Sequence, residues 1–334
     1  MRKFIVLQTL LLVFGILLSG QTQLVLSQGK EAKIVQWDAV TFLPRNNPMS
    51  ELFIGFIEKF NERAKGMFNI KYKGGPEVIS DRDQINSLRT GFIKIIFTAS
   101  GYGAELLPGA TAAEFFTISP AERRRNGLHD LLVDMVKKID ILHLGVIDYP
   151  NDRPLVTTVP VRKLDDLKGL KIRGTTQDLD YIRALGAQPL SLPFSELVPA
   201  LQRGVCQGYF VPTITYKASK AYEMAPYVVD ERISYGGGLV VWVNLKAFNE
   251  LPAHLQKLLQ DTMAESEPEI GVKMEKFRTE ALEQLKAAGV KYIKLSPEES
   301  RKYKNLRYET AWATAKKLSP DWAPRFQKLA GGLD

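Results

Sequence analysis

The chain has 334 residues, 45% hydrophobic and 25% charged, the proportions of a globular protein with a sizeable core, and its length suggests two domains or lobes. Its formal charge of +8 comes without a long basic run interleaved with aromatics, which argues against nucleic acid and leaves at most a mild attraction for small anions. Cys206 is the only cysteine, so no intramolecular disulfide can form, and His129, His143 and His254 are too isolated for a metal site.

Arg2 and Lys3 precede an apolar run from Phe4 to Leu18, and small and polar residues follow. That is the layout of a secretory signal. The run is shorter than the roughly 20 residues that a membrane span needs. Val25 and Ser27 suit cleavage after Ser27, and the loss of Arg2 and Lys3 lowers the charge from +8 to +6. Leu18-Ser19-Gly20 resembles part of a lipoprotein box, but Gln21 stands where the lipidated cysteine would be. A soluble exported protein is expected. Cys206 reads as a buried small hydrophobe, since no neighbouring base is legible that would make it a catalytic thiol.

Beyond the signal, strands and helices alternate. Lys33 to Trp37 reads as a strand. Met49, Leu52, Phe53, Phe56, Ile57 and Phe60 give 48–65 helical apolar spacing. Phe68 to Tyr72 is the next strand, and Ser80 with Asp83 caps a helix that Gly91 ends. Phe92 to Phe97 then delivers Thr98-Ala99-Ser100-Gly101 to a loop. Ser119-Pro120-Ala121-Glu122 opens a capped helix whose Arg123, Arg124 and Arg125 read as a solvated face. Leu142 to Ile147 and Pro154 to Thr158 are extended and form a candidate crossing between lobes. "LRTGFIKIIFT" (88–98) and "LQRGVCQGYFV" (201–211) are each a helix end, a glycine stop and a strand, which suggests two similarly built lobes with a cleft between them. Residues 251–288 are the most helical stretch, on the order of 55 Å if continuous, with Pro268 as a candidate kink. A last helix starts at Ser296-Pro297-Glu298-Glu299 and turns Tyr303, Leu306 and Trp312 inward.

The informative stretch is "LKGLKIRG" at 167–174. Arg173 ends a strand, and Gly174 leads toward a short amphipathic helix from Asp178 to Leu185. In open α/β sheets the carboxyl edge of the strands is where ligands bind. A guanidinium at that edge offers a fork of donors that fits a carboxylate. Two readings stand: a ligand clamp, or an inter-strand salt bridge to Asp165 or Asp166.

Leu167-Lys168-Gly169-Leu170-Lys171-Ile172-Arg173, Leu185-Gly186-Ala187-Gln188-Pro189, Ser195-Glu196-Leu197 and Ala200-Leu201-Gln202-Arg203-Gly204 together form a recognisable block. With Tyr72-Lys73-Gly74-Gly75, Val243-Asn244-Leu245-Lys246 and Leu251-Pro252, the mature chain resembles the DctP-type solute-binding subunits of tripartite ATP-independent periplasmic (TRAP) transporters. The resemblance implies an α/β, periplasmic binding protein-like fold. Two α/β lobes, joined by crossing strands and a long helix, would close over an organic acid held through its carboxylate by Arg173. The expected layout is a signal peptide at 1–27, lobe I at 28–148, lobe II at 149–239, a return segment with the spanning helix at 240–275, and C-terminal helices on lobe II at 276–334.

Departures from the family bear on the ligand. After Gly204 the family continues Val-x-Asp-Gly-x-x-Asn-Pro, whereas this chain has Val205-Cys206-Gln207-Gly208-Tyr209-Phe210-Val211-Pro212. Gln207 replaces the acid that one branch of the family pairs with an aromatic to hold a metal, so a metal-assisted site is not expected; Val211 replaces an asparagine that in many members hydrogen-bonds the substrate. A second arginine, common before the crossing strand in dicarboxylate binders, is absent until Arg153, placed beyond reach. One anion clamp and an apolar wall favour a monocarboxylate with an apolar or aromatic body. A compact dicarboxylate would leave a polar group unpaired, at roughly 1–3 kcal/mol. Candidate substrate-binding residues are Arg173, Tyr209, Phe210, Val211, Tyr149, Ser100, Tyr102, Thr98 and Phe42; the aromatics fit a core role equally well. The implied partner is an ion-driven membrane permease with a large and a small subunit, served in the periplasm by a monomeric binding protein without cofactor. The alternatives are a binding protein reporting to a sensor kinase, and an exported α/β enzyme. The latter lacks a G-x-S-x-G elbow, an H-E-x-x-H pair or a P-loop.

Overall fold

The computed structural model describes residues 34–147, 152–175, 178–231 and 238–331. The expected signal segment 1–27 and Tyr149 lie outside these. Four strands come first: β1 (Val35–Thr41), β2 (Phe68–Gly74), β3 (Ile95–Ala99) and β4 (Ile141–Val146). Five short ones follow: β5 (Leu155–Thr157), β6 (Lys171–Gly174), β7 (Gln188–Ser191), β8 (Gly208–Phe210) and β9 (Tyr227–Val229). The chain then returns through β10 (Leu239–Asn244) and closes with β11 (Lys291–Ile293). One sheet has the order β2-β1-β3-β10-β4 and the other β11-β9-β5-β8-β6-β7. The chain therefore passes from the first sheet to the second between β4 and β5 and back between β9 and β10. The 35-residue helix Ala253–Ala287, with Pro268 inside it, carries it over again to β11. This is the two-lobed α/β architecture expected, with crossing strands and a long helix.

The strands β3, β4, β5 and β8 are buried on both faces, and their alternate side chains enter different layers of core. In the second sheet Leu155, Phe210 and Val229 join one apolar cluster, while their neighbours Val156, Tyr209 and Val228 join the other. In the first, Val40, Ile96, Val240 and Trp242 pack with the helix Leu128–Val136. The helix Pro48–Arg63 brings Phe53 to 5.8 Å from Phe97 and Phe60 to 5.0 Å from Phe68. Asn47, Ser119 and Ser296 cap their helices by accepting from Met49 N, Glu122 N and Glu299 N. The two helix–glycine–strand units recur as expected: Gly91 and Gly204 adopt φ of +76° and +67°, which stops each helix before β3 and β8.

Several expectations change. The helix placed after Ser80 begins only at Gln84, because the Ser80 hydroxyl donates to Asp83 at 2.6 Å instead of capping a backbone N–H. Arg123 is buried and Arg124 half-buried, so of the three arginines only Arg125 lies on a solvated face. The C-terminal helices do not pack on lobe II alone. Pro297–Leu318 places Tyr303 in a second-sheet cluster and Trp312 in the first-sheet cluster, where Phe326 of the helix Ala323–Leu329 also lies. No helix among the described residues is long and apolar enough to cross a membrane.

Candidate functional site

The ends of β1, β3, β6 and β8 converge on a cavity of about 90 Å³. Phe42 and Leu43 follow β1, and Ala99 ends β3. Arg173 and Thr175 come from the end of β6, and Phe210, Val211 and Pro212 from β8. Tyr102, Phe194, Asp152 and Arg153 complete much of the wall, and Thr215 meets Met49 across it at 3.5 Å. A second, more polar cavity of about 160 Å³ adjoins the first, lined by Arg82, Glu105 and Ser191 among others. The two share Tyr102, Arg173 and Thr175.

Arg173 is only 4% exposed. Its Nε donates to Leu192 O at 3.1 Å, and among the described residues no carboxylate lies within ion-pair distance. Asp165 instead pairs with Lys168 at 2.9 Å, and Asp166 accepts from the backbone of Arg162 and Lys163. The salt-bridge reading of Arg173 therefore fails. A buried guanidinium without a counter-charge is costly unless an anion joins it.

Arg153 was expected beyond reach, yet it lines the same cavity. It donates to both oxygens of Asp178, at 2.8 and 3.3 Å, and its guanidinium lies 5.9 Å from the Phe210 ring centroid. Asp178 also accepts from the backbone N–H and hydroxyl of Thr175 and from Arg307 at 2.9 Å. Burial opposes ionisation of Asp178. The Arg153 and Arg307 guanidinia and the Thr175 donors outweigh it, and hold the carboxyl below the usual range. Arg153's charge is thus largely compensated, whereas that of Arg173 meets no carboxylate among the described residues.

Of the nine residues expected to touch a ligand, Arg173, Phe42, Tyr102, Phe210 and Val211 line the cavity. Tyr209 does not. One residue along β8 its side chain turns to the opposite face of the sheet, where it packs against Tyr216 with ring centroids 6.5 Å apart. Thr98 and Ser100 are fully buried behind the wall, and their hydroxyls find no partner among the described residues. Phe194, Thr215 and Asp152 were not singled out in the sequence, and Met49 only as part of a helix's apolar face; the Leu-Pro-Phe turn after β7 was the one legible pointer to Phe194.

The site is thus a mostly apolar cavity between two α/β lobes, with a buried arginine that has no ion-pair partner among the described residues. The family model for bacterial extracellular solute-binding protein, family 7 (DctP), matches residues 39–316, and the chain belongs to this family of binding proteins, which are not enzymes. It is 25% identical over 255 residues to the C4-dicarboxylate-binding periplasmic protein DctP of Rhodobacter capsulatus, covering 72% of this chain and 76% of that one. Matches to y4mM, an uncharacterized protein of Sinorhizobium fredii, and to an uncharacterized protein of Haemophilus influenzae cover only 35% and 39% of those relatives. Among solved structures, a TRAP periplasmic solute-binding protein of Desulfovibrio salexigens with bound orotic acid superposes with a TM-score of 0.81 at 22% identity, covering 88% of this chain and 97% of that one. DctP7, a Bordetella pertussis extracytoplasmic solute receptor binding pyroglutamic acid, gives 0.78 at 19% identity, with 89% and 99% covered.

Proposed function

We propose that this protein captures an organic acid outside the cytoplasm and hands it to a TRAP permease. The observation that carries the reading is Arg173: buried, at a strand end, facing a cavity and without an ion-pair partner among the described residues. Its two terminal nitrogens would take a carboxylate as a fork. The Phe42, Tyr102, Phe194, Phe210 and Val211 walls favour a monocarboxylate with an apolar or aromatic body. Orotic and pyroglutamic acids, bound by structural relatives, are ring-bearing monocarboxylates and support this choice. Arg153 supplies a second guanidinium, but Asp178 offsets its charge, so it suits a hydroxyl or carbonyl of the ligand better than a second carboxylate. Export through the signal at 1–27, a monomeric state and a permease of one large and one small subunit belong to the same proposal.

The test is a thermal-shift screen of the exported protein and of Arg173→Ala against monocarboxylates, aromatic acids, keto acids and dicarboxylates. Ligand at a hundred times Kd stabilises by about 2.7 kcal/mol. Stabilisation by ring-bearing monocarboxylates that disappears in Arg173→Ala supports the reading. Stabilisation by dicarboxylates alone would give Arg153 the second-clamp role, and no stabilisation by any acid would remove the substrate class.

A further inference from the structure

The geometry points to the Tyr102 hydroxyl as the latch between the lobes, a positioning role that rests on the ligand-binding reading above. Tyr102 follows β3 in the first lobe, and its ring stands edge-on to Phe42 with centroids 6.1 Å apart. The ring is wall to both the apolar cavity and its polar neighbour. Its hydroxyl is not spent on solvent. It donates to Asp81 Oδ2 at 3.2 Å within the same lobe and accepts from Phe194 N at 3.4 Å, across the cleft. Asp81 is itself 2% exposed and draws a further backbone N–H, from Arg82, so the acceptor is held in place. Burial, partly offset by Arg173, pushes the phenol up to about 12, and it stays a donor at neutral pH.

The second end of the contact gives it meaning. Phe194 stands two residues after Leu192, whose carbonyl fixes Arg173 Nε. One short turn of the second lobe thus holds the anion clamp with one backbone group and the first lobe with another. Drawing Arg173 onto a carboxylate sets the Leu192–Phe194 turn, and a correctly set turn presents its N–H to Tyr102. Ligand then favours the closed form through a contact that it does not itself touch, which is the differential affinity that closure requires. Losing the hydroxyl leaves the ring wall intact but removes the acceptor of the Phe194 N–H, the one bond of the pair that crosses the cleft, at a cost equivalent to about tenfold in the closing equilibrium.

Tyr102→Phe is the test, in the exported full-length mature protein. Spin labels at Glu58→Cys and Arg203→Cys, exposed positions on opposite lobes, report the inter-lobe distance without any ligand. The variant should show a wider distance distribution than the parent; an unchanged distribution overturns the latch. Asp81→Asn, which keeps an acceptor for the phenol, should shift the distribution less than Tyr102→Phe, and a larger shift would also overturn it. Orotate, pyroglutamate and galactonate serve as probes, and for any that binds the parent, Tyr102→Phe should release it about tenfold faster with association unchanged. Slower association with unchanged release overturns the proposal. If none of the three binds the parent, the thermal-shift panel above decides the organic-acid reading, and the distance measurement without ligand still decides the latch.

Discussion

Arg307 reaches 2.9 Å from Asp178 with both side chains no more than 2% exposed, although 129 positions separate them in the chain. Its guanidinium lies 5.1 Å from the Phe115 ring centroid, in the first-sheet cluster, and 5.2 Å from that of Tyr181, in a second-sheet cluster. One carboxylate therefore anchors the C-terminal helix, the cavity residue Arg153 and the turn at Thr175 together. Asp178→Ala would leave two guanidinia facing each other without a counter-charge. Breaking a buried pair in this way typically costs about 3–5 kcal/mol. Urea unfolding should show a loss of that order; a loss under 1 kcal/mol would mean that solvent reaches the cluster.

Gly145 makes a second long-range contact possible. A Cβ there would stand 2.5 Å from Glu267 Oε1 and 2.6 Å from Met263 Cγ, both on the long helix. The β4–β10 register slips between Val241 and Trp242, leaving Leu144 as the extra residue, and Arg124 takes its carbonyl at 3.0 Å. Arg124 also grips both oxygens of Glu267, at 2.6 and 3.0 Å, and Glu267 Oε1 accepts from Val146 N. Gly145→Ala should push the helix off this bulge and destabilise the protein by roughly 1–3 kcal/mol. Thermal melts of the variant decide it. A melting temperature equal to the parent's would mean that the helix yields without strain.

Arg173→Lys separates charge from shape. Lysine keeps the positive charge but lacks the planar fork, and it cannot hold the Leu192 carbonyl and two ligand oxygens at once. We expect at least a tenfold rise in Kd for a carboxylate ligand, measured by calorimetry, with the melting temperature of the unliganded protein unchanged. Equal affinity would show that only the charge is read.

Arg173 was legible because local signals placed it: apolar alternation up to Ile172, then a glycine, put a charged fork at the edge of a sheet. The glycine stops at Gly91 and Gly204 were legible for the same reason. Arg153 was not, because what brings it to the cavity is Asp178, 25 residues away and beyond a crossing that no periodicity describes. Tyr209 was expected at the cavity but lies away from it, because its side chain leaves β8 on the face opposite Phe210, and Val211 reaches the cavity only beyond the end of the strand. Phe210 and Val211 line the cavity while Tyr209 packs behind it, and three residues of strand are too few to fix which face is which. Arg124 read as solvated because Glu267 meets it from 143 positions away. The local pattern thus reached the elements and the arginine at the cavity, and missed the partners that topology alone supplies.

The histidines, silent as metal ligands, set an acid limit. His143 Nδ1 accepts from Trp242 Nε1 at 3.3 Å, and His129 Nε2 faces an Arg124 N–H at 3.1 Å, so both rings serve as acceptors and are neutral. Burial first, then the Arg124 charge, lowers His129 to about 3; burial, His129, Arg124 and Arg123 hold His143 well below its ordinary value. Folding must therefore exclude protons that the unfolded chain binds below about pH 6.5. The stability these two neutral rings contribute is fully present above that pH and is lost as pH falls toward their folded values. With two sites the slope reaches at most about 2.7 kcal/mol per pH unit. Asp178 adds its own loss only below the ordinary carboxylate range near 3.9, so a decline between pH 6 and 4.5 belongs to the histidines. Urea midpoints across that range should fall, and the His129 and His143 ring signals in NMR should stay those of neutral imidazole while the fold persists. Flat midpoints, or ring signals that titrate near pH 6.5, would show that water reaches the Arg124–Glu267 cluster and protonates the rings in place.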